Sequence, residues 1–543
     1  MNTSGHDPDL PKGWPDVEAL SRLANEFFAA RPGQDAGSQN AAGPVNSNSF
    51  ANGFDGEVPL ASSAPSPVTI PGEAELRAVL DAIALASGGS LPHSPQDPIT
   101  ASSDPLYYFL EYAQTGPAAS TPKVNEPQIS LQGFSAPFDV AAVRRDFPIL
   151  EERVNGRQLI WLDNAATTQK PRAVIDRLKH FYEHENSNVH RAAHELAARA
   201  TDAYEAARDK VRGFLNASSS MEIVFVRGAT EAINLVAQTW GRQNIGKDDE
   251  IVITWLEHHA NIVPWQQLAA EKGARLRVAP VDDSGQVLLD EYGKLLGSKS
   301  KLVAFTQVSN ALGTITPARQ IIESAHAAGA KVLLDGAQAV SHMPVDVQDL
   351  NPDWYVFSGH KVFAPTGIGV LYGKEALLNE MPPWQHGGNM ITDVTFERSL
   401  FQPAPGRFEA GTGNIADAVG LGAAIDYVNQ LGLRRIAEYE HQLLLYATRL
   451  LKEIPGLRLI GTAPEKAGVI SFVIEGQRTE DVGSALNREG IAVRSGHHCA
   501  QPILRRFGVE SSVRPSFALY NTCADIDGLI AALLRLTSHR APF

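Results

Sequence analysis

Two short stretches decide the fold of this chain: residues 331–338, KVLLDGAQ, and residues 354–361, WYVFSGHK. Each begins with a continuous apolar run and ends in polar residues, Asp335 in the first and Lys361 in the second. Continuous runs of β-branched, leucine and aromatic residues are typical of strands that are buried on both faces. Both stretches therefore predict a buried strand that presents a functional side chain at its carboxyl end.

The same pattern extends along the chain, because three further apolar runs each precede an amphipathic segment. The runs are Ile223–Val226, Ile251–Thr254 and Leu302–Thr306, and the predicted helices start at Thr230 or span Asn261–Lys272 and Pro317–Ala328. Strands that alternate with helices predict an α/β fold with a parallel sheet covered on both faces. In such sheets ligands bind at the carboxyl ends of the strands.

After Ala416 the pattern changes to a long helix followed by short strands such as Val469–Ile474. We therefore predict a large domain over residues 161–415, a smaller α+β domain over residues 136–160 and 416–543, and an extension over residues 1–135.

The composition excludes several classes of protein. The chain has 543 residues with 43% hydrophobic and 20% charged residues, and no apolar run is long enough to span a membrane. The first ten residues lack the pattern of a secretory signal. Cys499 and Cys523 are the only cysteines, which fits a reducing cytoplasm. A net charge of -14 argues against nucleic acid as a partner.

The extension is acidic, with five Lys and Arg against fifteen Asp and Glu in residues 1–135, and it holds 16 of the 34 prolines. Low hydrophobicity with excess charge predicts that it is largely disordered. Three apolar islands interrupt it, over residues 14–30, 73–85 and 106–112. The first places Leu20, Leu23, Phe27 and Phe28 at helical spacing, as in a short binding motif. The alternative is a leader without a partner.

The polar residues at the predicted strand ends match the demands of pyridoxal phosphate, which needs a lysine, a carboxylate at its ring nitrogen, a stacking group and a phosphate cradle. Lys361 supplies the amine and Asp335 the carboxylate. Gly228-Ala229-Thr230 opens a helix whose N–H groups suit a phosphate. His258 follows a third strand and could stack on the ring. Each residue alone has a commoner role as a cap or surface residue, and only their joint appearance indicates a site.

Five motifs resemble group II (Suf-type) cysteine desulfurases of the class V aminotransferase family. They are residues 227–234 (RGATEAIN), 257–265 (EHHANIVPW), 335–338 (DGAQ), 358–361 (SGHK) and 494–500 (RSGHHCA). The resemblance covers about residues 136–543. It implies a fold-type I transferase that is a homodimer, takes L-cysteine as substrate and delivers sulfur to an acceptor protein or reductant, for example in iron–sulfur cluster assembly.

The resemblance also implies a role for individual residues. Lys361 would form the Schiff base, Asp335 would bind the pyridinium, Gln338 the ring hydroxyl, and His258 would stack and take part in catalysis. The remaining implied residues are the phosphate ligands Ala229, Thr230, Ser358 and His360, Thr412 reaching over from the other subunit, and Arg514, Asn310 and Arg494 at the substrate. The thiolate of Cys499 would attack the substrate sulfur and become a persulfide, leaving alanine.

Three alternatives remain open at this stage. A selenocysteine lyase shares every implied catalytic residue, and a non-catalytic scaffold could retain the fold. His497, His498 and Cys499 could bind zinc with Cys523, although no Cys-x-x-Cys or His-x₃-His spacing accompanies them, so we expect no metal. We expect Cys523 to be a small buried hydrophobic residue.

The extension has a resemblance of its own. The motif from Trp14 to Phe28 is similar to the cargo-loading region of desulfurases that are packaged in encapsulin shells of the family 2 type. It implies a shell protein as a partner of residues 1–135 and a cytoplasmic location inside a nanocompartment.

Overall fold

A computed structural model describes residues 138–190 and 194–538. Residues 1–135, for which disorder and three apolar islands are predicted, lie outside the described residues. All described residues fall in one compact unit. The predicted boundaries between a large and a small domain stay predictions.

The described strands are numbered in chain order. They are β1 Arg153–Val154, β2 Arg157–Gln158, β3 Ile160–Trp161, β4 Ile223–Val226, β5 Glu250–Thr254, β6 Arg275–Ala279, β7 Ser300–Thr306, β8 Lys331–Asp335, β9 Trp354–Ser358, β10 Gly369–Gly373, β11 Ile391–Val394, β12 Ser399–Phe401, β13 Leu457–Ile460, β14 Ser471–Ile474, β15 Ile491–Ala492, β16 Arg494–Gly496 and β17 Ser512–Arg514.

The described helices are numbered in the same way. They are α1 Val140–Arg145, α2 Arg172–His184, α3 Glu195–Leu215, α4 Ala229–Val236, α5 Arg242–Asn244, α6 Val263–Lys272, α7 Leu289–Leu295, α8 Ala318–Ala327, α9 Val347–Leu350, α10 Glu375–Glu380, α11 Ile415–Leu431, α12 Leu433–Lys452, α13 Thr479–Arg488, α14 Gln501–Arg506 and α15 Cys523–Ser538.

A seven-stranded sheet in the order β4-β10-β9-β8-β7-β5-β6 carries the candidate site. Neighbouring residues of one strand pack into different clusters: Val303 and Phe305 of β7 into one, Leu302 and Ala304 into the other. The continuous apolar runs are thus explained by burial on both faces, and the predicted α/β fold is confirmed.

The predicted parallel sheet is confirmed for most of its strands; the exception is β10, which runs antiparallel to both β4 and β9. Gly369 and Gly373 bound this strand, and glycine weakens a strand signal in the sequence. Gly369 is required by close packing: a Cβ there would lie 2.4 Å from the Cα of Gly228. The other strands of this sheet are parallel, so their carboxyl ends share one edge.

The second sheet has four antiparallel strands in the order β13-β14-β17-β16. Its core joins Phe472 and Val513 to Leu443 of α12 and Leu529 of α15. The single long helix predicted after Ala416 is two helices, α11 and α12, which meet at Gly432 with φ of 86°. Glycine adopts this positive φ at little cost, and the chain turns there.

Across the described residues, no helix is both long enough and apolar enough to cross a membrane.

Candidate functional site

A cavity of about 180 Å³ opens at the carboxyl edge of the seven-stranded sheet. It brings together residues that lie far apart in the sequence but end neighbouring strands or follow them. Its lining includes eleven of the predicted site residues: Ala229, Thr230, His258, Asn310, Asp335, Gln338, Ser358, His360, Lys361, Arg494 and Arg514.

Lys361 and Asp335 face this cavity from adjacent strands. Asp335 is the last residue of β8, and Lys361 ends the 3₁₀ turn Gly359–Lys361 that follows β9. Burial lowers the pKa of Lys361 to about 8, although the Asp335 carboxylate opposes that change. Burial also raises the pKa of Asp335, whose Oδ1 accepts a hydrogen bond from Ala337 N at 2.9 Å. The lysine is therefore close to releasing a proton at neutral pH.

The start of α4 forms one wall of the cavity. Ala229 N donates to Ser358 Oγ at 2.9 Å, which joins this helix start to the end of β9. A Cβ on Gly228 would lie 3.1 Å from Ser358 Oγ, so a side chain at this position would crowd that hydroxyl. Burial, with the charges of Lys361 and Lys170, lowers the pKa of His360 to about 4. This wall offers N–H groups, a hydroxyl and a neutral imidazole, which suit a phosphate.

His258 and Gln338 are each fixed in orientation. His258 Nδ1 accepts from Ala260 N at 3.0 Å, so the hydrogen of the neutral ring is on Nε2. Burial first, and then the charge of Lys361, lower the pKa of His258 to about 3, which keeps the ring neutral. Gln338 Nε2 donates to Ala165 O at 2.6 Å.

Arg514 enters the cavity from β17 and is 1% exposed. Its Nη1 donates to Asn310 O at 2.8 Å and its Nη2 to Asp163 Oδ1 at 3.2 Å. Arg494 lies opposite on β16. Burial lowers the pKa of Arg514 to about 10, and Asp163 opposes this change. Two guanidinium groups face the single carboxylate of Asp163, so this wall is suited to bind the carboxylate of a ligand.

Cys499 lies at the margin of the cavity and is partly exposed. Its Sγ is 3.9 Å from Arg494 Nη2. His258 and Cys499 are linked through the backbone, because His259 N donates to Cys499 O at 2.8 Å. The predicted nucleophile is thus adjacent to the predicted substrate-binding wall.

Thr412 is the one predicted site residue that the described chain places elsewhere, and it is exposed. It lines a separate cavity of about 630 Å³ together with Glu409. The prediction that it reaches over to another subunit concerns a second chain and stays a prediction.

The alternative of a zinc site gains no support. Cys523 is exposed at the first position of α15, so the expectation that it is buried was wrong. Cys523 lies on the exposed face of the first turn of α15, whereas Asp525 and Ile526 of the same turn are buried. Within residues 138–190 and 194–538, no three His, Cys, Asp or Glu side chains are placed to hold one metal ion.

Sequence reasoning missed two residues at the site. Asp163 follows the two-residue strand β3 and pairs with Arg514. Glu257 is fully buried; its Oε1 accepts from Thr306 N at 3.2 Å and its Oε2 from Asn261 Nδ2 at 2.6 Å. Glu257 could have been identified from the sequence, because it precedes His258 in the same motif. Asp163 could not, because its partner Arg514 lies 351 positions away.

Three buried polar atoms of the cavity residues indicate that the site suits a polar ligand. Asn310 Oδ1, Arg514 Nε and His498 Nδ1 have no hydrogen-bond partner among the described residues. Buried polar atoms are normally paired, so unpaired ones around one cavity indicate a missing partner. Together with the lysine, the carboxylate and the helix start, this donor set fits pyridoxal phosphate with an amino-acid substrate.

Comparisons with known proteins identify the family of this chain. A family model described as aminotransferase class-V matches residues 160–529. A cysteine desulfurase of Synechococcus elongatus is 73% identical over 74% of this chain; the match covers 64% of that protein, less than two thirds of its length. A cysteine desulfurase of Serratia proteamaculans is 52% identical, over 74% of this chain and 98% of that protein. The crystal structure of the cysteine desulfurase CsdA (S-sulfonic acid) of Escherichia coli superposes with a TM-score of 0.69 and 40% identity, covering 74% of this chain and 99% of that one.

Proposed function

This chain belongs to the cysteine desulfurases of the class V aminotransferase family, and on that premise we propose that it converts L-cysteine to L-alanine and transfers the sulfur to Cys499 as a persulfide. The observation that carries the proposal is the cavity that joins Lys361, Asp335 and Arg514, with the thiol of Cys499 at its margin. From Cys499 the sulfur passes to an acceptor protein or a reductant.

Pyridoxal phosphate is the cofactor that this family membership implies. Lys361 would hold it covalently, Asp335 would bind its ring nitrogen, Gln338 its ring hydroxyl, and His258 would stack on the ring. The phosphate ligands would be the residues of the α4 wall, namely Ala229, Thr230, Ser358 and His360. When bound, the cofactor withdraws electrons from the substrate Cα and so acidifies its proton.

The protein's own residues perform the remaining steps. Arg514 binds the substrate carboxylate, assisted by Asn310 and Arg494. The amine of Lys361 takes the Cα proton, a role that its lowered pKa favours because the neutral amine is accessible near pH 8.

The sulfur transfer is balanced in atoms and electrons. The Cys499 thiolate attacks the substrate sulfur, a bond forms between the two sulfur atoms, and the substrate C–S bond breaks with its electron pair retained by carbon. Protonation of that carbon framework completes L-alanine. One L-cysteine and one enzyme thiol thus give one L-alanine and one enzyme persulfide, without an external oxidant.

The enzyme is of the group II, Suf-type subclass. Only 15 positions separate Cys499 from Arg514, and the segment between them is ordered as α14 and β17. A nucleophile on such a short connection has a narrow range of movement. We therefore place the acceptor at the exposed side of Cys499.

The protein works as a homodimer in this proposal, with Thr412 completing the phosphate site of the second subunit. The support is its place in the chain, since Thr412 is exposed and lines the open cavity of about 630 Å³ rather than its own site. Sedimentation equilibrium should give twice the chain mass of 58.5 kDa, and a monomeric active enzyme would contradict the assignment.

The activity is tested on the full-length protein loaded with pyridoxal phosphate. After one addition of L-cysteine without reductant, alanine is quantified and Cys499 is analysed by mass spectrometry after alkylation. We expect about one alanine and one persulfide per chain. Alanine formation without a persulfide on Cys499 would refute the mechanism, and the variant Cys523→Ser serves as the matched control.

The selenocysteine lyase alternative is separated by the same assay. Equal concentrations of L-cysteine and L-selenocysteine are compared by their kcat/KM. A preference of several orders of magnitude for selenocysteine would replace the proposed substrate. A non-catalytic scaffold would bind no cofactor and release no alanine.

Residues 1–135 bind an encapsulin shell protein in this proposal, which places the enzyme inside a cytoplasmic nanocompartment. The support is the sequence resemblance of residues 14–28 and the repetition of apolar islands, since several weak motifs gain strength on a repetitive surface. Deleting residues 1–135 should leave cofactor binding intact and abolish co-elution with a co-expressed shell protein in the high-mass fraction. The double variant Phe27→Ala with Phe28→Ala should show weaker co-elution with the shell protein. Equal loading of the truncated enzyme would exclude a targeting role.

A further inference from the structure

We infer that His498 is a positioning residue, whose buried imidazole holds the turn carrying Cys499 in the conformation that presents the thiol to the substrate. The inference rests on the proposed role of Cys499 as the sulfur-accepting nucleophile. It goes beyond that role by naming the side chain that positions the thiol.

The turn that carries Cys499 has a strained backbone. His498 has φ of 52° and Cys499 φ of 56°, so two consecutive residues other than glycine adopt the left-handed region. This conformation is unfavourable for ordinary L-residues, and it persists only where the surroundings determine it. Strain of this kind is concentrated at functional sites.

His498 supplies the anchor of this turn. It is 2% exposed, and its Nε2 lies 3.0 Å from Ser512 O and 2.9 Å from Ser512 Oγ. A carbonyl oxygen only accepts, so Nε2 must carry the hydrogen and Nδ1 a lone pair. Ser512 begins β17, the strand that ends in Arg514. The imidazole therefore joins the cysteine turn to the strand that carries the substrate-binding arginine.

The backbone of the same turn is bonded on both sides of this anchor. Asn310 Nδ2 donates to His498 O at 2.7 Å, and Cys499 N donates to His497 Nδ1 at 3.0 Å. His259 N donates to Cys499 O at 2.8 Å. The nucleophile is thus fixed relative to Asn310 and to the His258 turn, and the His498 side chain adds a direct bond from the turn to β17.

The chemistry of His498 agrees with positioning and not with proton transfer. Burial, together with Arg514 and Arg494, lowers the pKa of His498 to about 2. The ring stays neutral throughout the working pH range. A neutral imidazole adds no charge beside the thiolate and keeps its single N–H on Ser512.

Two amide variants separate the anchor from the backbone preference. In His498→Gln the side-chain amide reaches the position of Nε2 and can donate to Ser512 O, whereas in His498→Asn it ends near Nδ1 and cannot. Asparagine tolerates the left-handed region better than glutamine. If the hydrogen bond to Ser512 matters, His498→Gln should retain the rate of persulfide formation and His498→Asn should lose it. If only the backbone preference matters, His498→Asn should be the faster of the two variants.

The measurements use the full-length holoenzyme, with His441→Asn on the exposed side of α12 as the control. Rapid mixing with L-cysteine gives the rate of the cofactor absorbance change, which reports substrate binding, and quenched samples give the rate of persulfide formation. The alkylation rate of Cys499 by iodoacetamide, measured across pH, and the Tm complete the set.

We expect His498→Asn to form persulfide at least tenfold more slowly than the wild type, while the rate of its absorbance change stays within about threefold of the wild-type rate. For His498→Gln, both rates should stay within about threefold of the wild-type rates. The alkylation profile of His498→Gln should follow the wild type across pH. A wild-type persulfide rate in His498→Asn, an equal loss in both variants, or parallel slowing of both steps would overturn the inference. Absence of any persulfide in the wild type would instead refute the proposed function.

Discussion

Breaking the buried ion pair between Arg208 and Glu409 should destabilise the protein strongly. Arg208 of α3 is 2% exposed, and its guanidinium donates to Glu409 through Nη1 at 2.7 Å and Nη2 at 2.9 Å. Nη1 also reaches Ile223 O at 2.8 Å, and the group lies 4.7 Å above the Phe225 ring. The pair therefore joins α3 to the segment that leads from Glu409 to Thr412.

The expected magnitude follows from what each substitution leaves behind. Arg208→Met leaves the Glu409 carboxylate, 9% exposed, with only Phe225 N at 2.9 Å and Tyr204 OH at 3.1 Å as donors. Removing one partner of such a pair costs about 3–5 kcal/mol. Glu409→Gln leaves Arg208 with Glu205 at 2.9 Å, so we expect a smaller loss of about 1.5–3 kcal/mol.

The double variant tests whether the pair itself is responsible. With both charges of the pair removed, no buried charge is left unpaired, since Glu205 is 42% exposed to solvent. The combined loss should therefore fall short of the sum of the two single losses by about 1–3 kcal/mol. The free energies of unfolding are measured by urea denaturation at saturating pyridoxal phosphate, followed by tryptophan fluorescence, because bound cofactor adds to stability. A loss below about 1 kcal/mol for Arg208→Met, or additive losses, would refute the reasoning.

Three further predictions concern the site itself. Lys361→Ala should lose both turnover and the absorbance of covalently held cofactor, and any retained desulfuration would contradict the assignment. Cys499→Ala should bind cofactor and substrate but form no persulfide; labelling of Cys523 in that variant would reveal a second route. Burial lowers the pKa of His258 to about 3, from about 6.5 in the unfolded chain. Between pH 3 and pH 6.5 the unfolded chain therefore binds a proton at His258 that the folded protein does not bind. The free energy of unfolding should fall as the pH drops below 6.5. At pH 5 the contribution of His258 to this loss in cofactor-free protein is at most about 2 kcal/mol. The total loss should be smaller by that amount in His258→Gln, where His360 and His498 still contribute; an equal pH dependence in both proteins would show that His258 is not a cause.

The large sheet could be predicted from the sequence because its physical cause is local. A strand that is buried on both faces must be apolar at every position, and such a run is visible without knowledge of its partners. The residues that follow parallel strands meet at one edge by geometry alone, which is why Asp335, His258 and Lys361 were identified together.

Other features could not be predicted, because their cause lies in contacts between distant segments. β10 has glycine at both ends where its neighbours pack closely, so its own sequence gives a weak signal. The break at Gly432 is compatible with a continuous helix until the packing of α11 and α12 is known. Cys523 was expected to be buried because cysteine usually is, yet exposure depends on which face of α15 meets a neighbour.

The relation between the two halves of the site also depends on such distant contacts. Lys361 is anchored at the end of β9 in the seven-stranded sheet, whereas Arg514 and Cys499 belong to β17 and to a turn beside the four-stranded sheet. Hydrogen bonds through Asn310 link the two, since its carbonyl oxygen accepts from Arg514 and its amide donates to the turn of Cys499. Local sequence can specify which chemical groups are present, but the distance between lysine and thiol depends on contacts between distant segments such as this one. A single asparagine therefore couples the position of the bound substrate to that of the nucleophile that must reach its sulfur.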